Sequence, residues 1–468
     1  MTISQARTIA FDVLLRVAKQ NAYADDVLRG ALNESVKTED AGLATELALG
    51  VLRWQMLLDF LIDRYLKRPA DVTDAEVRIA LRLGFYQLYF LDRVPAHAAV
   101  HESVELVKRA RKRSAVNLVN AILRKAAKEP RDGVSPPDVI SSLLSPKIPL
   151  AAQLGIQYSH PTWMIERWIR TYGVERARAL LQANNCVPAL SGYLLDSARS
   201  DDTKRLLQFA GCNIQPGRLL RDAWLLEGGN PSACEAVRKG WIVLQDEASQ
   251  AVARLVAVDP GQTVLDLCAA PGGKTLLLAH AAGPQGRVIA ADLHENRVRA
   301  MKERFEQSSV RNVETIVLNG AETLPNSKLF ERTFDRILVD VPCSGTGTLA
   351  RHPEIRWKLR AKDISDLHVR QARLLRNALQ HLSPGGRLVY STCSLEPEEN
   401  ELVVREVLLA VGSDFQIADA RIPIETSLQE SVALESVVDA EGFFRTFPGE
   451  HGTDGFFGAA IERRKPKS

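Results

Sequence analysis

The chain has 468 residues, enough for two or three separately packed cores rather than one. Hydrophobic residues make up 46% and charged residues 25%, the balance of a globular protein, which excludes a disordered or fibrous chain. The net charge of +3 is too near neutral to imply a partner, so local clusters must do so.

The six cysteines form no C-x-x-C pair, so neither a zinc site nor a disulfide framework is expected, and no metal is called for. Asp12 and Arg16 interrupt the N-terminal apolar stretch, and no apolar run of eighteen residues appears later. A cytoplasmic, reduced, monomeric protein with no membrane segment is the expectation.

Residues 1–130 repeat apolar positions at helical spacing: Ile9, Val13 and Val17, then Leu47, Val51, Leu58, Leu61 and Tyr65, then Val77, Leu81, Leu88 and Leu91. Thr73 with Glu76 reads as a capping box. An all-α domain is predicted. Its last helices carry Lys108, Arg109, Arg111, Lys112 and Arg113, then Arg124, Lys125 and Lys128. That cluster suits nucleic-acid phosphates or, equally, a solvated helix face.

Prolines and serines mark residues 131–150 as a linker. Residues 151–235 mix amphipathic helices near Trp163 to Leu181 and Asp202 to Phe209 with a short apolar run at Gly192 to Leu195, which predicts a small α+β domain. From 236 to 468, apolar strands ending near Leu267, Ala291, Leu318, Asp340 and Ser391 alternate with helix-length segments, the pattern of βαβ units on a parallel sheet. The stretch Gly455 to Ile461 reads as a closing edge strand.

After the first of these strands comes Cys268-Ala269-Ala270-Pro271-Gly272-Gly273-Lys274-Thr275 and an apolar helix, a geometry that aims backbone N–H groups at a ligand. Cys268 stands where a phosphate-binding P-loop needs glycine, and G-x-G-x-x-G is absent, so triphosphate hydrolysis and hydride transfer both lose support. Asp292, ending the next strand, suits ribose hydroxyls or a helix N-cap. Asn319, after the third, suits an adenine edge or a turn.

Asp340-Val341-Pro342-Cys343 and Thr392-Cys393-Ser394 follow two further strands, so Asp340, Cys343 and Cys393 should converge outside the carboxyl ends of the sheet. Either cysteine alone reads as a small buried hydrophobe. Two of them with an aspartate fit methylation at a pyrimidine ring carbon, where a thiolate adds to C6 and makes C5 nucleophilic. Electron flow toward N3 would be stabilised by Asp340.

Together these motifs resemble the Nop2/NSUN/Sun family of RNA cytosine-C5 methyltransferases, and the resemblance extends to Gln245 to Gln250 and Asp454 to Phe457. It implies a multidomain chain: an all-α NusB-like RNA-binding domain, a small α+β (RRM-like) domain and an α/β Rossmann-like class I methyltransferase domain. The implied cofactor is S-adenosyl-L-methionine, and the implied partner is RNA, one cytosine of 16S ribosomal RNA. The family assigns the attacking thiolate to Cys393 and product release to Cys343. By the same resemblance Cys268 to Lys274 hold the methionine part of the cofactor and Asp292 its ribose. Asp340 lines that site and meets the base, and Lys274 reaches the cytosine. The family usually places an aspartate where Asn319 is the nearest match.

Arg351, Arg356, Lys358, Arg360 and Lys362 surround Trp357 and suit RNA phosphates with a stacked base, or a charged amphipathic helix. Three alternatives to the rRNA reaction are a tRNA or other rRNA site, methylation at a ring nitrogen, which needs no covalent step, and a non-enzymatic RNA-binding assembly factor.

Overall fold

The computed structural model describes residues 3–32, 36–66, 74–129, 143–308, 310–322 and 333–465. The chain divides into two units, Met1–Cys186 with Leu349–Leu359, and Val187–Thr348 with Arg360–Ser468.

In the first unit, helices Gln5–Gln20, Ala24–Ala31, Thr38–Arg53, Gln55–Asp63, Ala75–Phe90, Ala96–Arg109 and Val116–Ala126 enclose one apolar core. Val13, Val17, Leu47, Val51, Leu58, Leu61, Val77, Leu81 and Leu88 all point into it, as their spacing requires. The fifth of these helices starts after Asp74, and Thr73 of the expected capping box lies outside the described residues. Residues 131–142 of the expected linker do too.

The helices Leu150–Tyr158, Thr162–Tyr172 and Val174–Asn184 also belong to this unit and not to the middle module in which the sequence reading placed them. Ile156 packs against the helical core, and the Ser159 hydroxyl accepts the Met56 amide at 2.8 Å.

A further correction concerns Leu349–Leu359. This segment packs into the helical unit, where the Trp357 indole donates to Leu52 O at 2.7 Å and Lys358 Nζ donates to Asn21 O and Ala22 O. Arg356 is fully buried, and its guanidinium donates to the carbonyls of Arg53, Ser159, Asn184 and Leu349 and to the Asn185 side chain at 3.0–3.4 Å. A guanidinium sealed among carbonyls offers RNA no charge, and the partly buried indole spends its N–H on Leu52, so both act as structural clasps. Arg351, beside them, is half-buried.

The second unit holds two sheets. Strands β1 (Leu190–Leu194), β2 (Asn213–Pro216), β3 (Ala223–Glu227) and β4 (Ile242–Leu244) form an antiparallel sheet in the order β2-β3-β1-β4. The small module therefore runs past residue 235, because β4 must pair with β1. One face packs Leu226 and Ile242 on Leu207; the other sends Tyr193, Leu195 and Val243 into a shared core with Leu276, Met301 and Phe305 of the larger domain. The open face that an RRM-like sheet would present is thus covered.

The larger sheet contains β5 (Thr263–Asp266), β6 (Arg287–Asp292), β7 (Val313–Val317), β8 (Phe334–Asp340), β9 (Leu382–Thr392), β10 (Phe415–Ala418), β11 (Phe444–Arg445) and β12 (Phe457–Arg463). Its order is β10-β12-β9-β8-β5-β6-β7, with β11 on β12; β5 to β9 run parallel, whereas β12 pairs antiparallel with β9 and β10. The last strand is therefore interior rather than an edge, and its Phe457 to Ile461 run is buried accordingly. Alternate residues feed two cores: Val264, Val288, Leu338 and Val389 on one face, Leu265, Ile289, Ile337 and Leu388 on the other. Among the described residues no helix is long and apolar enough to cross a membrane.

Candidate active site

Strand order reverses between β5 and β8, so the loops leaving their carboxyl ends part and open a crevice at that switch point. The loop after β5 curls on its own backbone: Gly272 N donates to Ala269 O at 2.7 Å, and Ala269 N donates to Ala291 O at 2.9 Å. Gly272 has φ 92°, and a Cβ there would stand 2.8 Å from the Phe305 ring, so glycine is required on both counts. Helix Gly273–Ala282 follows at once, so its N-terminus lies at the carboxyl end of β5. From β1, the Tyr193 hydroxyl donates to Gly273 O at 2.7 Å, which braces the loop from the small sheet.

Three carboxylates surround this loop. Asp266 is 1% exposed; its Oδ2 accepts the Thr275 hydroxyl at 2.7 Å, and its Oδ1 has no partner among the described residues. Asp292 is also buried and accepts the amides of Ala270 and His294 at 3.3 and 3.1 Å, with Arg297 at 3.5 Å. His294 occupies the N-cap position of the next helix, so Asp292 ties that turn to the β5 loop. Asp340 accepts Lys274 Nζ at 2.8 Å on Oδ2 and the Ser391 hydroxyl at 2.7 Å on Oδ1. Burial alone would lower the Lys274 pKa, but the charge and hydrogen bond of Asp340 outweigh it and hold the ammonium above its ordinary value. The same ammonium lies 5.1 Å from the centre of the Phe456 ring.

The Cys343 and Cys393 sulfurs are 3.3 Å apart. Hydrogen bonding to Cys393, then burial, then the negative charges of Cys393, Glu399 and Asp340 push the Cys343 thiol well above its usual pKa. Cys343 therefore keeps its proton beside the Cys393 sulfur. Burial first, and then the three carboxylates, also raise the thiol of Cys268, which packs against the apolar core as an inert side chain.

The structure thus brings together Cys268, Ala269, Ala270, Pro271, Gly272, Gly273, Lys274, Asp292, Asp340, Cys343 and Cys393. Asn319 is turned back on its own loop: Nδ2 donates to Glu322 at 2.7 Å and Oδ1 accepts the Ala321 amide at 3.2 Å. Asp266, Ser391 and Glu399 were not singled out by sequence reasoning. The signal for Ser391 was its place at the end of β9; Glu399 was hidden in an acidic run that reads as solvated surface.

The basic helix ends of the first unit are partly neutralised. Lys108 pairs with Glu105, Arg109 with Asp12 and Lys112 with Asp74 at 2.7–2.9 Å, whereas exposed Arg111 and Arg113 form no ion pair among the described residues. Pairs this exposed are worth about 0–1 kcal/mol each, little enough for phosphates to compete. Among the described residues no group of three or more His, Cys, Asp or Glu is arranged to hold a metal ion.

A cationic ligand with a ribose suits this lining: a buried carboxylate oxygen of Asp266 is unpartnered among the described residues, and Asp292 presents acceptors at the end of β6.

A family model for the 16S rRNA methyltransferases RsmB/F matches residues 253–462, and one for the NusB family matches residues 4–128. The probable ribosomal RNA small subunit methyltransferase B of Bacillus subtilis is 30% identical over 99% of this chain and 100% of that protein. Ribosomal RNA small subunit methyltransferase B of Citrobacter koseri is 32% identical over 94% of this chain and 97% of that protein. Among solved structures, a methyltransferase homologue from Pyrococcus horikoshii is 28% identical with TM-score 0.55, covering 68% of this chain and 100% of its own. NSun6 from Pyrococcus horikoshii, solved with SFG, shares the fold at TM-score 0.54 and 19% identity over 65% of this chain and 99% of its own. The chain, with a NusB-type helical domain ahead of a methyltransferase fold built around this crevice, belongs to the RsmB/F family of S-adenosyl-L-methionine-dependent 16S rRNA methyltransferases.

Proposed function

We propose that this enzyme methylates C5 of one cytosine in 16S ribosomal RNA, cytosine 967 by the family resemblance, through a transient bond between Cys393 and C6 of the base. The observation that carries the reading is the pair of sulfurs 3.3 Å apart beside the Lys274–Asp340 ion pair.

Cys393, as thiolate, adds to C6, and the electrons displaced from the C5–C6 bond flow toward N3. The proton shared between Lys274 and Asp340 stabilises the charge arriving there, and their 2.8 Å contact keeps it at the base. S-adenosyl-L-methionine supplies the methyl group that C5 then takes up. The residues expected to hold this cofactor are the loop from Cys268 to Gly273 and the carboxylate of Asp292. Loss of the C5 proton restores the ring double bond as the C6–S bond breaks and Cys393 departs as thiolate. The Cys343 thiol, still protonated, donates a hydrogen bond to that departing anion, which is how it promotes release. The target must be unstacked to reach the crevice, and Arg111 and Arg113 are the residues best placed to hold phosphates of the helical domain's share of the RNA.

Incubation of Cys343→Ala with small-subunit RNA and the cofactor should accumulate a protein–RNA adduct that survives denaturation, and Cys393→Ala should form none and turn over nothing. Methylation by Cys393→Ala at the wild-type rate would overturn the covalent reading in favour of attack by a ring nitrogen.

A further inference from the structure

Glu399 ends the turn Pro397–Glu399 in a run of acidic residues, yet it is 0% exposed. No cation pairs with it among the described residues, and an unpaired buried carboxylate is costly unless hydrogen bonds fill its lone pairs. Here they are filled. Oε1 accepts the Ser344 amide at 2.8 Å and Gln371 Nε2 at 2.9 Å; Oε2 accepts the Ser394 hydroxyl at 2.5 Å and the Ser344 hydroxyl. Ser344 directly follows Cys343, and Ser394 directly follows Cys393. One carboxylate therefore ties together the residues next to both sulfurs, which lie on loops from different strands.

Other bonds close the same seam. Gln371 Nε2 also donates to Pro342 O at 3.0 Å, just ahead of Cys343. The Leu395 amide donates to the Thr346 hydroxyl at 2.9 Å, and the Gly347 amide donates to Cys393 O at 2.9 Å. A Cβ at Gly347 would stand 2.9 Å from Cys393 O, so the two loops already meet backbone to backbone. Charge-assisted hydrogen bonds are shorter and more directional than neutral ones, and a carboxylate accepting four donors fixes its neighbours within tenths of an ångström. A glutamine would satisfy the fold without a buried charge, but it cannot accept on all four sites.

We propose that Glu399 is the positioning residue of this active site: by anchoring Ser344 and Ser394 to one carboxylate, it sets the distance between the Cys343 and Cys393 sulfurs. The proposal rests on the covalent reading only for its consequence, since the register of the sulfurs can be read without RNA. Its charge also helps to keep the proton on Cys343.

The test uses the full-length protein. Diamide oxidises two adjacent thiols to a disulfide and is itself reduced to the hydrazine, so the rate of Cys343–Cys393 closure, followed by peptide mass, reports their proximity. Glu399→Gln should slow closure about tenfold, and lower kcat about tenfold to a hundredfold, while KM for RNA and Kd for the cofactor stay within about twofold. Ser344→Ala, which removes a hydroxyl and no charge, should show a smaller slowing of both, and serves if Glu399→Gln does not fold. Closure at the wild-type rate in either folded variant overturns the proposal. If closure slows as expected but the wild type never forms an RNA adduct, the covalent reading fails and the positioning role is upheld. If closure in Glu399→Gln keeps the wild-type rate while the wild type does form an RNA adduct, the positioning role fails and the covalent reading stands.

Discussion

Replacing Asp266 with Asn removes an ionisable group from the base of the crevice while leaving an oxygen to accept the Thr275 hydroxyl. Burial raises the Asp266 carboxyl most; the Thr275 hydrogen bond opposes this, the Asp340 charge reinforces it, and the result is a pKa pushed up to about 7. The unfolded chain has about 3.9. A group with a raised folded pKa favours the fold at low pH: its contribution is complete below about pH 3.9 and is lost as pH rises through about 7. Three pKa units at about 1.4 kcal/mol each give roughly 4 kcal/mol as an upper limit. About half of that loss falls between about pH 5.5 and about pH 8.5. The stability of Asp266→Asn relative to wild type should therefore improve by about 2 kcal/mol across that interval. Urea dependence of hydrogen exchange in peptides carrying β5 and β8 isolates this unit from the helical one and measures the difference. A difference constant to within about 0.5 kcal/mol would refute the reasoning, because the carboxyl would then be ionised, or neutral, at both ends of the range.

Three further outcomes are expected. Asp292→Ala should raise the cofactor Kd about tenfold to a hundredfold by calorimetric titration, the loss of one or two charge-assisted hydrogen bonds, and an unchanged Kd removes Asp292 from the site. Arg111→Gln combined with Arg113→Gln should reduce the salt slope of RNA binding by about 2, one per phosphate contact, and an unaltered slope places the RNA elsewhere. Arg356→Met should destabilise the helical unit by about 3 kcal/mol, since it strands the carbonyls of Arg53, Ser159 and Asn184; hydrogen exchange in helix Thr38–Arg53 reads this, and wild-type protection there would contradict it.

What was legible in the sequence follows from local rules. Helical spacing identifies the first core, and the βα alternation after residue 236 is enough to place Asp340, Cys343 and Cys393 at strand ends. What was not legible depended on partners distant in the chain. Arg356 looks like a phosphate ligand because a basic residue beside a tryptophan is usually solvated; its burial is decided by carbonyls at 53, 159 and 184. The stretch Gly455 to Ile461 looks like an edge until β10, forty residues earlier in sequence, is seen to pair on its far side. Glu399 is one of four acidic residues between 396 and 401, and only the folded loops show that it and Glu396 are the ones inside.

The route of the backbone bears on how this protein can be dissected. Polypeptide passes from one unit to the other after Cys186, returns at Leu349 and leaves again after Leu359. No single cut yields both halves whole: a fragment ending at Cys186 lacks the guanidinium that Asn184 and Ser159 receive, and a fragment starting at Val187 carries Glu354, Arg356 and Trp357 with nothing to receive them. Poor behaviour of either fragment in isolation would be a property of the severed seam and not of the helices or the sheet.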